Sequence, residues 1–158
     1  MVSLEEIADH FRQMAWRQVK VEVGPASPAA IARARRFVVD LVGVELPPEF
    51  PRLWELTNGI DYSGAVLFGA EVIVEPSLYI QGLVEENEMF SPPAPFVHVG
   101  SRGDEWISWH SQEDAYYLVD KISDDPMFKR VGFMDMLWHY IAEGLEMTYN
   151  QLKSEGEL

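Results

Sequence analysis

The sequence contains no cysteine, which excludes disulfides, thiolate catalysis and cysteine zinc sites. That absence fits a reducing compartment. Long hydrophobic runs are also missing, since no stretch reaches the roughly 18 apolar residues that a membrane helix needs. The N-terminal segment has no basic region followed by an apolar core, so it does not resemble a secretory signal. We therefore expect a cytoplasmic protein that has no membrane partner.

Basic residues are scarce: 12 Lys and Arg stand against 26 Asp and Glu, a net charge of −14. Residues 1–60 carry eight acidic and seven basic side chains, whereas residues 61–158 carry 18 and five, a net of −13. Such a charge repels nucleic acid, whose binding requires phosphates to be neutralised. It would attract a basic protein surface. The alternative is that the acidity only keeps the protein soluble.

Apolar residues make up 47% of the 158 residues, which predicts one globular domain over 1–158 with a frayed tail at 153–158. Five segments carry apolar residues at helical spacing or are bounded by helix-capping residues. The predicted helices run over 4–19, from Pro28 to Gly43, from Pro48 to Asn58-Gly59, from Ser77 to about Met89, and from Phe133 to about Leu152.

Alternating apolar and polar residues predict three consecutive antiparallel strands at Phe96–Gly100, Glu105–Trp109 and Tyr116–Asp120. Shorter strands are expected at 65–68, 71–74 and 128–131. This order of elements predicts an α+β fold, in which a mainly antiparallel, twisted sheet is wrapped by N-terminal helices and a C-terminal helix.

Several short motifs follow one another in a fixed order: Leu46-Pro47-Pro48-Glu49-Phe50, Leu53-Trp54, Asn58-Gly59, Leu67-Phe68-Gly69, Val84-Glu85-Glu86-Asn87-Glu88, Tyr117-Leu118-Val119-Asp120, and Phe133 with Met136-Leu137. Over roughly residues 28–145 this series resembles the SUKH superfamily, most closely its YrhA-like branch. The resemblance implies a twisted sheet wrapped by helices and a non-enzymatic binding scaffold without a cofactor. Many bacterial members are similar to immunity proteins that neutralise a toxin. The chain departs from the family at 112–114, where a glycine is common, and at Gly132, where a polar helix cap is common.

The predicted strand around residue 107 carries two tryptophans, and its alternation puts Trp106 and Trp109 on opposite faces. We expect Ile107 and Trp109 in the core, with Trp106 exposed and His110 on the same face. Exposed aromatic side chains anchor protein interfaces when they cluster.

Acidic pairs recur after residue 60, and residues 61–127 carry 13 acidic and two basic side chains. Any single pair is most simply explained as part of a solvated face, but the set as a whole predicts a partner surface. The predicted partner-binding residues are Asp61, Tyr62, Glu85, Glu86, Glu88, Asp104, Glu105, Trp106, His110, Glu113 and Asp114.

Two histidines suggest a different chemistry, since His98 and His110 lie on neighbouring predicted strands with Asp104 and Glu105 in the turn between them. A metal site or an acid–base pair is conceivable there. A polar outer sheet face is the simpler interpretation, because metal sites usually need three or four convergent ligands. No serine-nucleophile motif, phosphate-binding glycine loop or HExxH stretch is present, and we predict no catalytic or metal-binding residue.

Three functions follow from these observations. The leading hypothesis is an immunity protein that neutralises a cognate bacterial toxin by occlusion through an acidic surface; the toxin would be a basic protein such as a nuclease. The second is a regulatory or scaffolding module that binds a cellular protein or a small ligand. The third is a metal-dependent hydrolase that uses His98 and His110. Either a monomer or a weak homodimer paired through an edge strand is expected.

Overall fold

The computed structural model describes residues 3–62 and 64–141 and shows an α+β fold. The helices are α1 (Leu4–Val19), α2 (Pro28–Val42), α3 (Glu49–Leu56), α4 (Leu83–Phe90) and α5 (Phe133–Met136), the last continuing as a π-helical turn over Leu137–Ile141. The strands are β1 (Ile60–Tyr62), β2 (Ala65–Leu67), β3 (Ile73–Glu75), β4 (Leu78–Ile80), β5 (Phe96–Arg102), β6 (Glu105–His110), β7 (Ala115–Asp120) and β8 (Pro126–Val131). The predicted residues 142–152 of the closing helix and the predicted frayed tail fall outside the described residues.

Local capping explains the ends of the first two helices. The Ser3 side chain and the Glu6 backbone form one half of a reciprocal capping box, and the Glu6 carboxylate completes it. Ser27 accepts from the Ala30 backbone N–H at the start of α2, and Gly43 ends that helix at φ +79°. The predicted helix starts at Ser3 and Ser27 and the predicted helix end at Gly43 are therefore confirmed.

The predicted helix from Ser77 to about Met89 is wrong in its first half and confirmed in its second, where Leu83, Val84 and Asn87 share a buried face. The segment that follows Ser77 is β4, which pairs with β3, and α4 begins only after Gly82. Leu78 and Ile80 are buried and Tyr79 between them is exposed, so this segment follows the two-residue period of a strand. Leu78 and Ile80 pack with Val23 in a small cluster of their own.

The main sheet has six strands in the order β1-β2-β5-β6-β7-β8, and all of its strand pairs are antiparallel. The predicted three-strand meander is confirmed as β5, β6 and β7, with strand ends one or two residues longer than expected. A glycine permits the close approach of β2 to β5, because a Cβ at Gly100 would lie 2.4 Å from the Val66 carbonyl oxygen.

Side chains of the central strands point to two faces. The inner face carries Val97, Ile107, Trp109, Tyr116 and Leu118 and belongs to the main hydrophobic core. There the ring of Phe50, from α3, contacts the rings of Tyr116 and Phe133 at centroid distances of 6.3 and 4.9 Å. The outer face carries His98, Ser101, Trp106, Ser108, His110 and Tyr117.

Beyond the end of the short strand β2, a side chain of helix α4 bonds to the free edge of β5. The Asn87 side chain donates to the His98 carbonyl at 2.7 Å and accepts from the His98 N–H at 2.8 Å. These bonds satisfy backbone groups that a longer β2 would otherwise pair. They also hold the C-terminal part of α4 beside the outer face. None of the helices in the described part of the chain is both long and apolar enough to cross a membrane.

Candidate functional site

The sheet topology gathers many acidic residues at one end of the sheet. The β5–β6 and β7–β8 turns meet there, since the Lys121 N–H donates to the Asp104 carbonyl at 3.0 Å. The start of β2 lies at the same end, because Ala65 pairs with Arg102. We call this region the acidic end and define it by Asp61, Asp104, Glu105, Asp120, Asp124 and Asp125.

The two basic side chains of residues 61–127 both contact the protein itself. Lys121 Nζ lies 2.7 Å from Ser101 Oγ and 4.6 Å from the centre of the Trp106 ring, and Arg102 Nη1 donates to the His139 carbonyl at 3.4 Å. The Asp120 carboxylate accepts from the N–H groups of Ile122 and Ser123, which lowers its pKa. Six carboxylates against two basic groups leave this end strongly negative.

Trp106 lies on the outer face as predicted, but the expectation that it is exposed is wrong, since only 6% of its surface is accessible. Its ring stacks on His98 at 4.5 Å and contacts Phe90, from α4, at 5.0 Å. Lys121 covers it from the β7–β8 turn. Alternation therefore predicted the face correctly, and the burial comes from a helix and a turn that are distant in sequence.

The exposed apolar side chains beside Trp106 are ones that the sequence did not single out. Met89 and Phe90 end α4 at 70% and 49% exposure, and Ile122 in the β7–β8 turn is 94% exposed. We call these three residues the apolar rim. The sequence contains one indication of the apolar rim, which is that Ile122 is a single apolar residue within a polar turn.

His98 is buried beneath this region, and its Nδ1 lies 2.8 Å from Ser108 Oγ. Burial, assisted by the nearby Lys121 charge, lowers the pKa of His98 to about 4. The imidazole is therefore neutral near pH 7.

His110 has different neighbours, since its ring contacts Phe96 and Tyr117 at the other end of β6. Five residues separate it from Glu105, or about 17 Å along a strand. Within residues 3–62 and 64–141, no group of three His, Cys, Asp or Glu side chains is arranged to hold a metal ion. His98, His110, Asp104 and Glu105 therefore lie at different points along β5, β6 and the turn between them and do not converge on one metal or acid–base site.

The predicted residues Glu113 and Asp114 lie with His110 at the end opposite the acidic end, and both have partners within the protein. Glu113 binds Lys129 Nζ at 2.6 Å and the Tyr117 hydroxyl at 2.9 Å, and these bonds lower its pKa. Asp114 accepts from the Trp109 indole N–H at 3.0 Å. Asp114 also adopts φ +50°, in the left-handed region that glycine enters most readily.

The remaining predicted residues divide between these regions. Glu85 pairs with Arg33 of α2 at 2.8 Å, and Glu88 is exposed on α4. Partial burial raises the pKa of Glu86, an effect that the nearby Lys121 opposes, so Glu86 borders the acidic end. Tyr62 points to the inner side, where its ring contacts Phe11 at 5.9 Å. The eleven predicted residues therefore do not form one continuous surface.

Comparison with models of known protein families found no family that matches this chain. Comparison with curated proteins also found no match.

Proposed function

We propose that this protein binds a basic protein through its acidic end, as an immunity-type protein of the SUKH class that neutralises a cognate bacterial toxin. One observation carries the proposal: six carboxylates surround the turns at one end of the sheet, beside the exposed apolar rim. The basic side chains of residues 61–127, Arg102 and Lys121, contact the protein itself and leave that charge available to a partner.

The combination of charge and apolar exposure favours a protein partner. Protein interfaces typically place aromatic and apolar anchors at the centre of a contact and charged groups around its periphery. Phe90 and Ile122 would supply the anchors, and Asp104 and Asp124 belong to the surrounding charge. Nucleic acid is a poor partner for this end, because its phosphates would meet uncompensated carboxylates.

Neutralisation would proceed by occlusion. The negative end would steer a basic toxin during encounter, and the apolar rim would prolong the complex once it forms. A toxin that acts on a polyanion needs an exposed basic surface, so covering that surface would block access to its substrate. This mechanism needs no chemical step on the part of the present chain.

The test is a binding measurement with the purified product of the adjacent gene, by surface plasmon resonance at low and high salt, which gives both rate constants and the affinity. We expect the variant Asp104→Lys/Asp124→Lys to weaken binding by about tenfold or more, mostly through slower association. Ile122→Ser should accelerate dissociation. The control is Glu55→Lys, which reverses one exposed carboxylate on α3 where the acidic-end variant reverses two, and it should leave the affinity almost unchanged.

Two results would contradict the proposal. One is a neighbouring gene that encodes no toxin, together with a failure of its product to bind. The other is tight binding that the acidic-end variant and the Glu55 control affect equally, which would place the interface elsewhere on the molecule. A cellular, non-toxin partner bound at the acidic end would instead support the regulatory or scaffolding function.

A further inference from the structure

A cavity of about 340 Å³ opens at the end of the sheet opposite the acidic end. It lies between the segment that joins α2 to α3 and the β6–β7 turn. Its walls include Glu49 at the start of α3, Trp109 and Tyr116 from the inner face, and Asp114 from the turn. This volume falls within the range of small-molecule sites in proteins.

Tyr116 lines this cavity and carries an unsatisfied polar group. Its side chain is 1% exposed, and its hydroxyl has no hydrogen-bond partner among the residues that the structure describes. Buried hydroxyl groups are almost always hydrogen-bonded, so an unpaired one at a cavity wall indicates a missing partner. Burial raises the pKa of Tyr116, and the nearby carboxylates of Glu49 and Asp114 raise it further. Both carboxylates therefore act on the same hydroxyl.

The chemistry of the walls selects a cation. Glu45, Glu49 and Asp114 are carboxylates, and the cavity residues, all within the described ranges, include no Lys, Arg or His. Glu45 already pairs with Arg35 at 3.5 Å, which leaves Glu49 and Asp114 for a ligand. The Trp109 indole N–H donates to Asp114 Oδ1 at 3.0 Å, which holds that carboxylate against an aromatic wall. Glu49 and Asp114 are accessible to solvent, whereas Trp109 and Tyr116 are only 3% and 1% exposed, so a cation that enters the cavity meets the carboxylates first.

Among protein cations, the guanidinium group fits these walls better than an ammonium group does. It is planar and presents five N–H donors in a fixed plane, so it can bond to several carboxylate oxygens at once, whereas an ammonium group is a compact point charge. The side-chain oxygens of Glu49, Asp114 and Tyr116 can accept hydrogen bonds from the N–H groups of a guanidinium. We propose that this cavity binds a guanidinium group, supplied either by an arginine side chain of a partner or by a free small guanidine.

The experiment uses the whole protein and three small probes. N-acetylarginine amide represents a peptide arginine, methylguanidine represents a free guanidine without a second cationic group, and N-acetylcitrulline amide is the uncharged isostere of the first. Binding is followed by the NMR signal of the Trp109 indole N–H, assigned with Trp109→Phe. We expect the arginine probe to shift this signal and the citrulline probe to bind about tenfold or more weakly.

Variants assign the effect to the cavity. Tyr116→Phe keeps the aromatic ring, and Glu49→Gln keeps the side-chain length. Each variant should lower the affinity for the arginine probe about threefold or more. Glu55→Gln, on the same helix as Glu49 but outside the cavity, should leave binding unchanged. Circular dichroism would confirm that each variant keeps its fold. Binding of both cationic probes points to an open wall that accepts a partner's arginine, and binding of methylguanidine alone points to a free guanidine.

Equal binding of the arginine and citrulline probes, or no indole shift with either cation, would overturn the proposal. So would full binding in both Tyr116→Phe and Glu49→Gln. The test is independent of the proposed toxin, because Asp104→Lys/Asp124→Lys lies at the opposite end and should retain the probe. Loss of toxin binding in that variant with retained probe binding would separate the two sites.

Discussion

The two faces of the central sheet are both buried, but they are buried with different chemistry. Ile107 and Ser108 are neighbours on β6, and both are 0% exposed. Ile107 points into the aromatic and aliphatic core beneath the helices, whereas Ser108 points to the outer face and meets the His98 ring. The inner face thus depends on filled volume, and the outer face depends on hydrogen bonds and on the charge state of a histidine. This difference predicts different responses to mutation and to pH.

The largest effect is expected on the inner face. Ile107→Ala leaves a cavity in a close-packed region and should lower the free energy of unfolding by about 3 kcal/mol, with little dependence on pH. Chemical denaturation at neutral pH measures the loss. Val74→Ala, at a side chain that is 74% exposed, is the control and should change stability by less than about 0.5 kcal/mol. A loss at Ile107 as small as that of the control would mean that the inner face is not closely packed.

The next effect is a pH dependence that arises on the outer face. The pKa of His98 falls from an ordinary 6.5 to about 4 on folding, so between these values the unfolded chain binds more protons. Its contribution to stability is complete above about pH 6.5 and is lost as the pH falls towards 4. We expect a loss of about 2 kcal/mol from this residue between about pH 7.5 and 5.

The measurement is denaturant unfolding across that pH range, in the wild type and in His98→Gln. The variant should show a flatter profile, and the difference between the two profiles isolates His98 from the many carboxylates. Val74→Ala, at an exposed position without a titrating group, is the control and should retain the wild-type profile. Parallel profiles for wild type and His98→Gln would show that His98 is not desolvated.

A smaller effect is expected from the partner of that histidine. Ser108→Ala removes the hydroxyl 2.8 Å from His98 Nδ1 and leaves a buried nitrogen unpaired, which should cost about 1.5 kcal/mol. Equilibrium unfolding at neutral pH measures it, with Ser77→Ala at an exposed position as control. A loss at Ser108 as large as that of Ile107→Ala would remove the contrast between the faces.

The smallest effect lies on neither face. Arg33 and Glu85 form an ion pair of 2.8 Å between α2 and α4, and the two side chains are 52% and 36% exposed. Solvent screens such pairs, so Arg33→Gln should cost less than about 1 kcal/mol, and less still at high salt. A double-mutant cycle with Glu85→Gln gives the coupling energy. A value well above this limit would indicate that the pair fixes the position of α4 over the outer face.

Sequence reasoning did best where a structure depends on neighbours in the chain. Ser3 and Ser27 mark the starts of α1 and α2 because a cap bonds to a backbone group three residues away. The meander from β5 to β7 followed from alternation and short turns. The prediction for the segment after Ser77 was wrong because a serine also occurs before strands. In addition, β3 and β4 are too short to show an alternating pattern, so their pairing could not be predicted.

The candidate site was predicted less well, and Trp106 shows why. Alternation gave its face, but its burial depends on Phe90, sixteen residues before it, and on Lys121, fifteen residues after it. Acidic residues were recognised by their number, but their grouping depends on which turns share an end of the sheet. Asp104 and Asp120 meet at one end, whereas Glu113 and Asp114 lie at the other and bind Lys129 and Trp109.

By itself, the sequence determined the ends of the first two helices, the three central strands, the α+β class and the concentration of negative charge after residue 60. These features depend on spacing and composition, which act over a few residues or over the whole chain. Tertiary structure alone decided which carboxylates form the acidic end, that α4 and Lys121 cover Trp106, and that Tyr116, Glu49 and Asp114 line one cavity. Strand register and packing set these contacts, and they join residues whose separation in the chain carries no local signal.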